Sequence, residues 1–208
     1  GWDVTVVMPN FETKDFIIEN DIWQIPFKGK HIQKLASLFE RVGIYEDYLD
    51  KWVDSAFEYL KDKITKDDIV FATSGGELGT FKLASMLKDK LGFKYISNYR
   101  DPINYTLVHG LKVDNKIHVS REKEEKKYIS NADLMITSSD FNKQSLVIKY
   151  PELKSKIFNN YFGYIKSIDI RQYKKIKSNK LRIAYSGSML TNVQKPEILY
   201  EALLKLKS

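Results

Sequence analysis

Arg100 and Asp101, set directly before Pro102, are the side chains of this sequence best suited to chemistry. They follow Lys94-Tyr95-Ile96-Ser97-Asn98-Tyr99, a short β-prone run that ends in this charged turn. Pro102 fixes its own φ and biases Asp101 away from helix, so both charged side chains are expected to project from a stiff loop. Arg supplies a planar fork of donors and Asp a carboxylate, a combination able to grip and polarise a polar substrate. In an open α/β sheet, ligands bind in the crevice outside the carboxyl ends of the strands, where such a turn lies. The alternative is a turn whose Arg and Asp are solvated or simply pair with each other.

Two further turns are rich in small residues: Thr73-Ser74-Gly75-Gly76-Glu77 and Tyr185-Ser186-Gly187-Ser188. Glycine lets a backbone approach a ligand closely, and a following helix offers unpaired N–H groups to an anion. Neither turn matches the dinucleotide fingerprint or the P-loop, and a tight turn needing positive φ explains either one equally well. Glu77 puts negative charge where a phosphate would sit, so Ser74, Gly75, Gly76 and Glu77 read as architectural or as facing an acceptor. The second turn, with Lys195 downstream, is the better phosphate site. His109, in the loop after the Arg-Asp-Pro turn, is a candidate for the same cleft, with a surface histidine as the alternative.

Several chemistries are set aside. The chain has no cysteine, which removes disulfides and thiolate ligands or nucleophiles and fits a reducing cytoplasm. His31, His109 and His118 show no metal-ligand spacing with one another or with nearby carboxylates, so no metal site is expected. A Ser–His–Asp hydrolase would need a nucleophile elbow, and Ser186-Gly187-Ser188 lacks the first glycine in register.

At 208 residues and 43% hydrophobic, the chain is long enough for one large domain or two small ones. Its formal charge of +7 favours acidic partners such as nucleotides, phosphorylated lipids or an anionic membrane surface. Basic residues alternate with acids, as in Arg121-Glu122-Lys123-Glu124-Glu125-Lys126-Lys127, with no isolated basic arm and no recognised nucleic-acid motif. Nucleic acid is therefore the weaker reading. No apolar run approaches the ~18 residues needed to span a bilayer, so any membrane contact is expected to be peripheral. The dispersed lysines of residues 120–130 and 166–180 are the candidates for contact with anionic lipid, against a merely solvated charged face.

Elements that could position these residues follow from pattern. Val4-Thr5-Val6-Val7-Met8-Pro9 suits a buried strand, and residues 22–27 suit another. Over 45–60, Tyr45, Tyr48, Leu49, Trp52, Val53, Ala56, Phe57 and Leu60 recur at three- and four-residue steps, the stripe of an amphipathic helix. Strands are expected at 69–73, 94–98, 133–137 and, more weakly, 157–161. Helices are expected at 77–90, from Ser120 as N-cap with Glu122 in the first turn, and at 141–149. Alternation of strands and helices predicts an α/β fold with a largely parallel, Rossmann-like sheet covered by helices on both faces. Residues 1–165 form this domain in the expected organisation, and 166–180 read as a linker. At 181–208 a strand at 181–185, a turn and a helix from Pro196 open a second domain.

Four segments in order resemble GT-B-fold glycosyltransferases of the family-4 (group 1) type. Gly1-Trp2-Asp3-Val4-Thr5-Val6-Val7-Met8-Pro9 is similar to the second strand of the acceptor-side domain. Residues 71–91 with Tyr99-Arg100-Asp101-Pro102 resemble the strand, helix and F-R-D-P segment of the subgroup that builds bacterial surface polysaccharides. Glu125 with Asn131-Ala132-Asp133-Leu134-Met135-Ile136-Thr137-Ser138-Ser139 resembles an "E…A-D-hydrophobic-T-x-S" element. Leu181-Arg182-Ile183-Ala184-Tyr185-Ser186-Gly187-Ser188-Met189 with Pro196-Glu197-Ile198-Leu199 and Ala202-Leu203 is similar to the start of the nucleotide-sugar domain.

The resemblance implies two Rossmann-like domains facing a cleft, and sugar transfer with retention from a nucleoside-diphosphate sugar to a glycan or lipid-linked acceptor. It implies no required metal, and work in the cytoplasm or at the inner membrane face. Asp101 and Arg100 match the loop facing the transferred sugar; Gly187 and Ser188 match the loop over the donor diphosphate, with Lys195 nearby. Fixed N–H dipoles and a cation would stabilise the departing diphosphate. The sequence departs from the pattern at Ser188, where an Arg is usual. The first strand with its glycine-rich loop and the distal paired glutamates are absent from it, so the chain is expected to be a fragment inactive by itself. A non-catalytic module of the same fold that binds a glycan or a partner is the alternative, and a basic nucleic-acid-binding protein is a third reading.

Overall fold

The computed structural model of the chain describes residues 1–26, 49–103, 107–108, 111–112, 115–161, 163, 183 and 196–207. The chain divides into two units, Gly1–Gly163 and Tyr164–Ser208.

In the first unit, β1 (Val6–Asn10), β2 (Ile17–Glu19) and β3 (Ile22–Pro26) form a small mixed sheet in the order β1-β3-β2. The run at 4–9 does yield a strand, but β1 stays outside the main parallel sheet, and Val4, Val6 and Met8 are exposed rather than buried. Its partner β3 lies alongside in parallel, leaving one face to solvent. The other face packs on α1 (Asp50–Leu60), where Trp23 meets the Tyr59 ring edge-on. Leu49, Trp52, Val53, Ala56 and Leu60 of the predicted stripe are all buried; Tyr45 and Tyr48 lie outside the described residues.

The main sheet is all-parallel. It runs β4 (Ile69–Ser74), β5 (Lys94–Tyr99), β8 (Leu134–Thr137) and β9 (Ile157–Asn159), in that spatial order. Its connections are α2 (Gly79–Leu91) between β4 and β5, and α3 (Asn115–Ser130) before β8. α4 (Asp140–Lys149) and the 3-10 turn Pro151–Lys156 then lead to β9. A two-stranded hairpin, β6 (Leu107–Val108) with β7 (Leu111–Lys112), precedes α3. α3 begins five residues before Ser120, so Ser120 is an interior residue and not a cap, and Glu122 is not in the first turn. No glycine or proline interrupts 115–120, and serine is only mildly unfavourable within a helix.

Chain ends of these helices follow local chemistry. α2 stops at Gly92, which takes φ +78° and donates its N–H to the Lys88 carbonyl. α4 starts at Ser139, whose hydroxyl accepts from the Asn142 N–H, with Asp140 in the favourable first turn, and Pro151 ends it. The last carbonyls around α3, on Ser130 and Ala132, accept from Lys156 Nζ at 3.2 and 2.8 Å. At the start of the strands, Asp133 N–H donates to the Tyr95 carbonyl while the Asp133 carboxylate accepts the Tyr95 N–H at 2.8 Å and Lys88 Nζ at 2.7 Å. Those bonds lock β8 to β5 in register.

The two faces of the parallel sheet differ. Ala72, Ser74, Tyr95, Ser97, Tyr99, Met135, Thr137 and Ile157 point into the core with Phe81 and Leu87 of α2, and each large apolar side chain stabilises by about 1.5–3 kcal/mol. On the other face Phe71 lies opposite Ile96, Ile96 opposite Leu134, and Ile136 opposite Phe158. Phe71 is 52% and Phe158 48% exposed, so among the described residues much of this second face is open, where helices on both faces were expected. Strand order is the physical reason. Right-handed crossovers between strands that all advance in one direction put their helices on one side. In the second unit α5 (Pro196–Lys207) starts at proline as predicted. The linker 166–180 and the strand and turn 181–188, Ile183 excepted, lie outside the described residues.

Candidate functional site

The carboxyl ends of β4, β5, β8 and β9 bring three of the predicted groups into one row: the Ser74–Glu77 turn, Arg100 and Asp101. The strands end on Ser74, Tyr99, Thr137 and Asn159, each with a polar group.

The β4 turn is closed from within. Ser74 is fully buried; its Oγ donates to the Glu77 carbonyl at 2.5 Å and accepts the Gly76 N–H at 3.1 Å. The Gly75 N–H donates to Glu77 Oε1 at 3.1 Å. The donor that an incoming anion would need is thus engaged by the chain's own carboxylate, which suits the architectural reading of this turn. Gly76 has φ +117°, a conformation side chains rarely adopt, and so requires glycine.

Arg100 is held at its backbone from both sides. Its N–H donates to the Ser74 carbonyl at 3.0 Å, and its carbonyl accepts from Ser138 Oγ at 3.2 Å. Its side chain lies over Gly75, where a built Cβ would come within 2.9 Å of Arg100 Nη2. The guanidinium thus rests close over Gly75, with its exposed, flexible end free to swing aside. Arg100 Nε reaches Asp101 Oδ2 at 3.4 Å, a long contact between side chains 61% and 57% exposed. Both groups of the predicted pair face solvent, with a fork of donors and a carboxylate available side by side.

A second polar set, missed in the sequence, stands at the ends of β8 and β9. Thr137 Oγ1 donates to Asn159 Oδ1 at 2.6 Å. The Asp140 carboxylate accepts from Asn159 Nδ2 and, at 2.6 Å, from the Tyr161 hydroxyl. That bond to Asp140, with some burial, raises the Tyr161 phenol above its ordinary range. These residues form no motif in sequence. The available signal was positional, since Thr137 and Asn159 end strands of a parallel sheet and Asp140 and Tyr161 lie within three residues of those ends.

His109, Gly187, Ser188 and Lys195 lie outside the described residues. Among the described residues no group of three or more His, Asp or Glu side chains could hold a metal ion, and no helix is long and apolar enough to cross a membrane. Compared with known proteins, the sequence matches no family model and no curated relative. An exposed carboxylate and a seated guanidinium can bind a ligand rich in hydroxyls, or one carrying both hydroxyls and negative charge.

Proposed function

We propose that this chain is part of a GT-B-type glycosyltransferase that moves a sugar, with retention, from a nucleoside-diphosphate donor to a glycan or lipid-linked acceptor. The observation that carries the reading is Asp101, exposed at the carboxyl edge of a parallel sheet beside a guanidinium seated over glycine. The sequence resemblance at 99–102 supports it from a different direction. In this reading Asp101 accepts hydrogen bonds from the transferred sugar, and Arg100 orients it or its departing diphosphate. Gly187, Ser188 and Lys195 would hold the diphosphate in the donor-side domain, and neither metal nor cofactor takes part. The basic charge suits an anionic donor and a lipid-linked acceptor at a membrane surface.

The decisive experiment is Asp101→Asn in the full-length protein, assayed for transfer from radiolabelled nucleoside-diphosphate sugars to membrane-derived acceptors. The expected loss is at least about 100-fold, as for loss of a group that holds the reacting sugar in position, with the melting temperature unchanged. Near-normal turnover would remove Asp101 from the mechanism. Glycan binding without any transfer by the unaltered protein would convert the reading to a binding module of the same fold.

A further inference from the structure

Glu125 is 1% exposed, yet it is a carboxylate in the middle of α3. Its Oε1 accepts the Tyr99 hydroxyl at 2.8 Å; its Oε2 accepts the Tyr150 hydroxyl at 2.6 Å and Lys149 Nζ at 2.8 Å. One side chain thereby joins the end of β5, the middle of α3 and the end of α4.

Tyr99 is the last residue of β5, and the next residue is Arg100. Successive side chains of a strand point to opposite faces, so Tyr99 enters the core as Arg100 leaves it. Anchoring the Tyr99 ring at its far end, while Phe81 packs its face edge-on at 4.9 Å, fixes the peptide from which the Arg100–Asp101 turn departs. Burying tyrosine here does not itself demand a carboxylate. Tyr95, two residues earlier on the same face, is fully buried and its hydroxyl has no hydrogen-bond partner among the described residues. Burying a carboxylate is expensive, and apolar replacements of buried ionic groups are often as stable. An apolar replacement of the whole cluster would hold the fold as well, whereas the carboxylate adds a fixed direction to the Tyr99 hydroxyl.

We propose that Glu125 is a positioning residue of the candidate site: by clamping the Tyr99 hydroxyl it sets the direction in which Arg100 and Asp101 leave β5. The structural claim stands apart from the glycosyl-transfer reading, and only its kinetic consequence rests on that reading.

The test compares Tyr99→Phe with Tyr150→Phe in the full-length protein. Each deletes one hydroxyl bonded to the same carboxylate, but only the first cuts the link to the turn. Nuclear magnetic resonance would follow the Arg100 Nε–H and Asp101 amide signals. Both should shift and broaden in Tyr99→Phe and keep their positions in Tyr150→Phe. Glu125→Gln, which retains an acceptor oxygen, should stay nearer to the unaltered protein than Glu125→Leu does. In the transfer assay Tyr99→Phe should lower kcat about tenfold with little change in KM for the donor. Unmoved Arg100 signals in Tyr99→Phe, or equal movement in both tyrosine variants, would overturn the proposal. Should Tyr99→Phe fail to fold, coincident Arg100 signals in Glu125→Gln and Glu125→Leu would overturn it instead. Signals that move as expected in a protein that transfers no sugar would uphold the clamp and refute the proposed activity.

Discussion

Asp101 and Glu125 are both carboxylates of the same unit, and their surroundings are opposite. Glu125 is enclosed, with two phenols and an ammonium at 2.6–2.8 Å. Asp101 stands in solvent with a guanidinium contact at 3.4 Å. Short bonds in a low dielectric commit a charge to the fold, whereas a long, screened contact leaves it open to a ligand. Exposure and partner distance therefore sort the acidic residues into those that hold the molecule and those able to act on something else.

The largest effect should come from emptying the enclosed position. Glu125→Ala strands the phenols of Tyr99 and Tyr150 and is expected to destabilise by about 3 kcal/mol, at the low end for a broken buried pair because Lys149 retains some contact with water. Urea unfolding reads this directly. A loss no greater than that of Asp101→Ala would break the comparison.

Next is packing behind the site. A Cβ on Gly79, the first residue of α2, would lie 2.4 Å from Leu49 Cβ. Gly79→Ala should destabilise by about 2 kcal/mol, since neither helix can shift without disturbing the core. Unchanged thermal stability would show that α1 yields more readily than its buried stripe implies.

Asp133 sharpens the comparison with an intermediate case. Partial burial pushes its carboxyl up, but the Lys88 ammonium and the Tyr95 N–H more than offset this and hold it below its usual range. The folded state then binds this proton less readily than the unfolded chain, whose Asp titrates near about 3.9. The contribution is complete above that pH and fades as pH falls through the lower folded value. Asp133→Asn should flatten this part of the acid limb of a stability–pH profile. An unaltered limb would mean that the pair is as weak as an ordinary surface contact.

The smallest stability change is expected at the open position. Asp101→Ala should stay within about 0.5 kcal/mol of the unaltered protein by chemical unfolding, as for surface substitutions. A larger loss would mean that Asp101 also braces its turn.

Much of the parallel sheet was legible in the sequence. The runs at 69–73 and 133–137 and the β-prone 94–98 carry the strands because β-branched and aromatic side chains suit a pleated, half-buried surface. The turn at Arg100 was legible because Pro102 acts locally on its neighbours. Strand partnership was not. β1 reads like the other strands, and only its pairing with β3 separates it from the main sheet. Glu125 was singled out only through the resemblance of the segment it opens, and its partners lie 24–26 positions away, at a range where residue spacing gives no distance. The Asp140, Asn159 and Tyr161 set was hidden for the same reason.

Because β4, β5, β8 and β9 neighbour one another in the order in which they occur along the chain, each later strand finds its template already made. A nascent chain emerging from the ribosome could lay this sheet down one unit at a time, each unit closing on the one synthesised just before it. Each new pairing spans only the crossover just completed, from Ile69 to Lys94, Ile96 to Leu134 and Met135 to Ile157, and the advancing edge is always the most recently translated strand.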